Sequence, residues 1–148
     1  MKLSKPRARA GFQAVKRSDE KPIVSIIIPT FNSEDTIRGC LQSIKDQTYP
    51  NIEVIIVDRY SVDETVKIAE NFKEKILLKN SERSAARNYG AAKANGSFVL
   101  FIDSDMELTP GVVEECVAAC LSRGTEAAII QEEPVVEGFL SEFRKIEK

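Results

Sequence analysis

Apolar positions along this chain alternate between two rhythms. Ile23-Val24-Ser25-Ile26-Ile27-Ile28, Ile52 to Val57 and Phe98 to Ile102 are short, nearly unbroken apolar runs. Such runs read as strands buried on both faces, the pattern of a parallel sheet. Pro29 closes the first run, because proline cannot donate to a central ladder. Between the runs the spacing turns helical. Ile37, Cys40, Leu41 and Ile44 follow i, i+3, i+4, i+7 behind a cap at Asn32 or Ser33. Val62, Val66, Ala69 and Phe72 predict a second helix, capped by Ser61 or Asp63. Ile76-Leu77-Leu78 reads as a short strand, and an Ala-rich helix runs from Ser84 to the stop signal Asn95-Gly96. Thr109-Pro110 starts a helix that Gly124 ends. Ala127 to Ile130 reads as a weak fifth strand, and Phe139, Phe143 and Ile146 as a last amphipathic helix.

Strand and helix in strict alternation predict an α/β fold, a mostly parallel sheet with helices on both faces. In such sheets ligands sit beyond the carboxyl ends of the strands. Three polar clusters fall there: Pro29-Thr30-Phe31-Asn32, Asp58-Arg59-Tyr60 and Asp103-Ser104-Asp105. In an extended backbone, residues i and i+2 point the same way. Asp103 and Asp105 would then aim two carboxylates at one point, where a hard divalent cation and a phosphate relieve their repulsion. Asp-x-Asp is also ordinary turn chemistry. Phe31 offers an apolar face to a base, Thr30 a small polar contact, and Asp58 an acceptor for a base N–H. Arg83 and Arg87 stand one helical turn apart, and Arg87 is suited to a phosphate or a base edge.

Composition narrows the chemistry. The chain has 148 residues, 43% of them hydrophobic, enough for a core. Its net charge of −2 argues against nucleic acid as partner. Residues 1–21 nevertheless carry net +5 and the remainder −7. That basic arm reads as a flexible tail, or as one loosely attracted to anionic lipid. Residues 22–148 read as the folded domain. With no long apolar stretch, a cytoplasmic protein is expected, at most peripheral at a membrane. Three cysteines fit a reducing compartment, with Cys116 and Cys120 as core thiols. Zero histidines remove His triads and the common zinc sites. Neither Gly-x-Gly-x-x-Gly nor a P-loop occurs, so those phosphate cradles are absent. An aspartyl phosphatase would carry its Asp-x-Asp on the first strand, not here.

The string Val24-Ser25-Ile26-Ile27-Ile28-Pro29-Thr30-Phe31-Asn32 resembles the opening of family 2 glycosyltransferases, which have the GT-A fold. In matching order follow Gln47-Thr48-Tyr49-Pro50, Glu53-Val54-Ile55-Ile56-Val57-Asp58, Ser84-Ala85-Ala86-Arg87-Asn88 and Gly96 to Asp105. The resemblance implies transfer of a sugar from a nucleotide-diphospho-sugar to an acceptor, with Mg²⁺ or Mn²⁺. It implies that Pro29, Thr30, Phe31, Asn32, Asp58, Arg87, Asp103 and Ser104 bind the donor, and that Asp103 and Asp105 hold the metal. Two departures stand out. The family's Asp-Asp-Gly-Ser-x-Asp is here Asp58-Arg59-Tyr60-Ser61-Val62-Asp63. Only 43 residues follow Asp105, so the acceptor half and its catalytic carboxylate are expected to be missing. Glu132-Glu133 matches no expected motif for that carboxylate. The alternative is a non-catalytic nucleotide-sugar-binding or partner-binding module, self-associating through the face that the acceptor half would cover.

Overall fold

A computed structural model describes residues 21–124. The expected basic arm, fifth strand and final helix lie outside the described residues. Two compact units are present, Met1–Val113 and Glu114–Lys148. The first contains all the strands described below.

Strand β1 (Val24–Thr30) pairs in parallel with β2 (Ile52–Asp58) over seven residues, from Val24 opposite Ile52 to Thr30 opposite Asp58. Strand β3 (Lys75–Leu78) flanks β2, and β4 (Phe98–Phe101) flanks β1, giving the order β3-β2-β1-β4, all parallel. The three Ile at 26–28, with Ile55 and Ile56, are at most 1% exposed. At roughly 1.5–3 kcal/mol per buried aliphatic side chain, this strip dominates the core.

Helix α1 (Ile37–Lys45) turns Ile37, Cys40, Leu41 and Ile44 inward, the predicted stripe. Helices α2 (Thr65–Asn71) and α3 (Arg83–Ala92) follow β2 and β3, and α4 begins at Val112 and runs to Arg123. Helix α3 packs on the sheet face formed by Ile27, Ile55 and Val57, bringing Ala86 and Tyr89 against it, with Ala94 packed there just past the helix end. It comes so close at Gly90 that a Cβ there would collide with Ile27 Cγ2 and lie 3.1 Å from Val57 Cγ2. The other face, with Ile26, Ile28, Val54 and Ile56, is buried too. The α/β architecture read from the alternation is therefore present.

Several expectations are corrected. Helices α1 and α2 begin later than the proposed caps, because polar loop residues bond to one another first. Strand β4 is not buried on both faces. It is the edge of the sheet among the described residues, and Val99 (40%) and Phe101 (44%) are exposed. It ends at Phe101, so Asp103 to Asp105 are not in extended strand. They form a turn in which Met106 N–H donates to Asp103 O at 3.1 Å. Cys116 and Cys120 are half-buried free thiols, not core ones.

At the amino end of the sheet, Glu53 ties three strand-flanking segments together. Its Oε2 accepts from Ser25 Oγ (2.5 Å) and Asn95 N (2.9 Å), and its Oε1 from Asn95 Nδ2 (2.7 Å). Gly96 N–H donates to the same Ser25 Oγ at 2.9 Å.

Candidate functional site

The chain runs from β1 outward to β2 and β3, then returns to β4 on the opposite side of β1. The loops after β1 and β4 therefore part at the strands' carboxyl ends, which opens a crevice at this switch point. A cleft of about 470 Å³ lies there. Of the residues anticipated from sequence, Pro29, Thr30, Phe31, Asn32, Asp103, Ser104 and Asp105 line it; Asp58 and Arg87 do not.

Asp58 lies beneath the cleft, fully buried. Its Oδ1 accepts from Thr30 Oγ1 (2.8 Å) and Ser61 Oγ (2.6 Å), and its Oδ2 from Ser61 N (2.7 Å). Those bonds close the turn after β2. Tyr60 in that turn has φ +56°, a conformation that suits glycine. It stands where the motif that this segment resembles has Gly. Asn32, in the loop after β1, also has positive φ, +47°.

The two loops interlock. Asn32 N donates to Ser61 Oγ (2.8 Å), and Val62 N donates to Asn32 Oδ1 (3.0 Å). Ser33 N donates to Thr65 Oγ1 at 2.7 Å, Glu34 N to Asp63 Oδ2 at 3.1 Å, and Glu64 N to Glu34 Oε2 at 2.9 Å. Asp63 Oδ1 also accepts from Thr65 N at 3.0 Å, from one residue ahead of the N-cap position of α2. The rim around Thr30 and Phe31 is thus fixed by side chain-to-backbone bonds before any ligand arrives.

Opposite this rim, Asp103 is held from α3. Its Oδ1 accepts from Arg87 Nη2 at 2.7 Å, and its Oδ2 from Arg83 Nη1 at 3.3 Å. The i, i+4 spacing places both guanidiniums on one helix face. Arg87 Nε is buried without a hydrogen-bond partner, as is Ser81 Oγ in the cleft wall. Ser104 Oγ donates to Ser33 Oγ at 2.9 Å, bridging the switch point. Asp105 is exposed. Beneath them, Cys40 Sγ donates to Asp103 O at 3.7 Å. Burial, then the charges of Asp105, Glu107 and Asp103, push that thiol up to about 12. It stays protonated at neutral pH and is no nucleophile.

The cleft also holds residues not anticipated as binders, among them Ser33, Asp35, Arg59, Ser81 and Glu82. Arg59 lies over the Phe31 ring, 5.4 Å from its centroid. Its signals were its place in the Asp58-Arg59-Tyr60 cluster at the end of a strand and its departure from the motif. Ser81 and Glu82 carried only the general signal that they follow a strand.

Two carboxylates are a sparse donor set for a cation. No group of three or more Cys, Asp or Glu able to hold a metal is present among the described residues. Mg²⁺ and Mn²⁺ do not need one, because one or two carboxylates, water and substrate phosphates complete the octahedron. The Asp105 carboxylate makes no hydrogen bond or ion pair among the described residues, and a carboxylate has about four lone-pair sites, of which Asp103 commits two to arginine. The residues fit a cation that binds together with a diphosphate.

A parallel sheet of this order with its cleft at the strands' carboxyl ends is the architecture of a GT-A-type glycosyltransferase domain. The family model for Glycosyl transferase family 2 matches residues 25–137, and the chain belongs to that family. It is 39% identical over 97 residues to glycosyltransferase GlyA of Streptococcus pneumoniae, covering 62% of this chain and 14% of that protein. It is 36% identical over 103 residues to poly(ribitol-phosphate) beta-N-acetylglucosaminyltransferase TarS of Staphylococcus aureus, covering 64% and 18%. Among solved structures, TarS 1–349 in complex with UDP superposes with TM-score 0.64 at 27% identity, covering 74% of this chain and 38% of that one. Mannosyltransferase PcManGT from Pyrobaculum calidifontis, in complex with GDP-Man and Mn²⁺, gives 0.55 at 27% identity, covering 60% and 29%. The chain spans well under half the length of these proteins.

Proposed function

We propose that this chain forms the donor side of a glycosyltransferase, binding a nucleotide-diphospho-sugar with Mg²⁺ or Mn²⁺ for transfer to a hydroxyl-bearing acceptor. The observation that carries this reading is the cleft itself. It has an apolar ring at one wall (Phe31) and, across the switch point, the Asp103-Ser104-Asp105 turn backed by two arginines. TarS with UDP and PcManGT with GDP-Man and Mn²⁺ support the ligand class.

In this reading Phe31 stacks on the base and Thr30 contacts its edge. Asp58 acts from below by orienting Thr30 and Ser61. Asp105, with Asp103, would hold the metal beside the diphosphate. When bound, the cation neutralises charge as the diphosphate leaves. Arg83 and Arg87 fix the Asp103 carboxylate, so its orientation needs no reorganisation on binding. Pro29, Asn32 and Ser104 shape the wall.

A second reading, a nucleotide-sugar-binding module that works through a partner or a second copy, is favoured by the exposed Val99 and Phe101 on one side of β4. Measurable turnover by the isolated chain removes it.

Calorimetry with UDP and GDP, with and without MnCl₂, tests the main reading. A metal-dependent heat is expected, lost in Asp105→Ala while the thermal midpoint is unchanged. No heat from either nucleotide, with metal present, overturns it.

A further inference from the structure

The amino end of the sheet, opposite the cleft, carries a chemical liability that the fold holds shut. Asn95-Gly96 is the sole Asn-Gly pair in the sequence. Such a pair deamidates readily in a flexible chain, because glycine has no side chain to shield its nitrogen from the preceding amide. Here the glycine has no substitute. A Cβ at Gly96 would lie 2.6 Å from Ser25 Oγ, 2.7 Å from Ser25 N and 2.8 Å from Ile23 O, the last two being backbone atoms at the start of β1. Both reacting groups are tied down instead. Glu53, in β2, accepts from Asn95 N at 2.9 Å and from Asn95 Nδ2 at 2.7 Å. An ionised carboxylate only accepts, so the side-chain amide must turn its nitrogen to Glu53. Gly96 N, the nucleophile, donates to Ser25 Oγ at 2.9 Å, and Ser25 Oγ donates onward to Glu53 Oε2 at 2.5 Å. One carboxylate thus anchors the leaving group directly and the nucleophile through one hydroxyl. Asn95 is exposed, so water reaches it.

We infer that Asn95 is a latent deamidation site, kept silent by the Glu53-Ser25 clasp, and that its conversion unfastens the amino end of the sheet for good. The inference stands apart from the nucleotide-sugar reading. When the clasp opens, Gly96 N loses its proton and bonds to Asn95 Cγ. The Cγ–Nδ2 bond breaks, and the amide nitrogen takes up the proton and leaves as ammonia. Water then opens the cyclic imide at either carbonyl, which leaves aspartate or isoaspartate at position 95. The new carboxylate faces Glu53 where an amide donor stood, and like charges oppose re-closure.

The test incubates the whole chain in mildly alkaline buffer and follows acid at position 95 by peptide mapping and mass spectrometry. The folded wild type should convert at least about tenfold more slowly than the same chain in urea, because reaction waits for local opening. Glu53→Gln keeps one acceptor oxygen where there were two, and Ser25→Ala removes the acceptor for Gly96 N–H. Each should speed conversion of the folded chain by at least about threefold. Ile37→Val trims the core at the other end of the sheet and should stay within about twofold of wild type. If Glu53→Gln does not fold, Ser25→Ala carries the comparison. Asn95→Asp reproduces the product charge and should unfold at lower urea than Asn95→Ala, which only empties the clasp. A folded wild type that converts as fast as the unfolded chain, or clasp variants that do not outpace Ile37→Val, overturn the inference. An Asn95→Asp midpoint at or above that of Asn95→Ala overturns the unfastening.

Discussion

Tyr60 offers a substitution near the cleft that should stabilise the protein. Its φ of +56° places a Cβ-bearing residue in the left-handed region, which costs roughly 1–2 kcal/mol. The conformation is imposed from outside, by Ser61 N and Oγ bonding back to Asp58 and by Ser61 Oγ accepting from Asn32 N. Tyr60→Gly relieves the strain but raises the entropy of the unfolded chain, a loss of about 0.5–1 kcal/mol. The ring is 57% exposed, so its removal forfeits little packing. Tyr60→Ala removes the ring and keeps the strain. The comparison of Gly with Ala therefore isolates the backbone, and Gly should be the more stable by about 0.5–1 kcal/mol. In urea, with a slope of about 1–3 kcal/mol/M, the midpoint rises by a few tenths of a molar unit. If Tyr60→Gly unfolds at or below the midpoint of Tyr60→Ala, the turn does not require positive φ and the reasoning fails.

Gly90→Ala drives a methyl into Ile27 on the α3 face. Overpacking of up to about 3 kcal/mol, less about 1 kcal/mol of helix propensity, leaves about 2 kcal/mol of destabilisation; an unchanged urea midpoint would contradict it. Glu53 sets an acid limit on stability. Burial opposes its ionisation, but hydrogen bonds from Asn95 N–H, Ser25 and the Asn95 amide, with the charge of Lys75, hold its carboxyl below the ordinary 4.5. The folded state therefore binds fewer protons there than the unfolded state. This contribution is complete above the unfolded value and disappears as pH falls through the folded one. Glu53→Gln should lower stability at pH 7 and flatten its fall below about pH 4.5, read by urea titrations at several pH values.

Much of the fold was legible because β-branched runs and i, i+3, i+4 stripes are tertiary facts written locally. Ile26 to Ile28 and Ile37 to Ile44 were placed correctly on that basis. Strand β4 was misjudged because Phe98 to Ile102 is as apolar as a central strand, and sequence does not reveal that among the described residues only β1 pairs with it. The helix starts were missed for a different reason. Asn32, Ser33 and Asp63 were read as caps for their own helices, yet Asn32 and Ser33 bond across to the neighbouring loop, a long-range choice no local pattern encodes. The Asp103 and Asp105 pair was singled out through strand alternation that does not hold, since both sit on a turn. Its engagement by Arg83 and Arg87 needed the α3–β4 juxtaposition. Asp58 was expected at a base edge; in the fold its carboxylate is buried and bonded to Thr30 and Ser61, a placement that depends on the turn that follows the strand.

The interlocked loops after β1 and β2 divide the Asp58 to Asp63 segment into two kinds of position. Asp58, Ser61 and Asp63 match the family motif, and they are the ones whose side chains bond across or beneath the loops. Arg59 and Tyr60 depart from it, and neither side chain takes part in that bonding. The segment is accordingly modular: its scaffold is carried by the side chains of Asp58, Ser61 and Asp63, while those of Arg59, Tyr60 and Val62 between them stay out of that bonding. Substitutions at the outward positions change what the cleft's rim displays without removing the side-chain bonds that fold it.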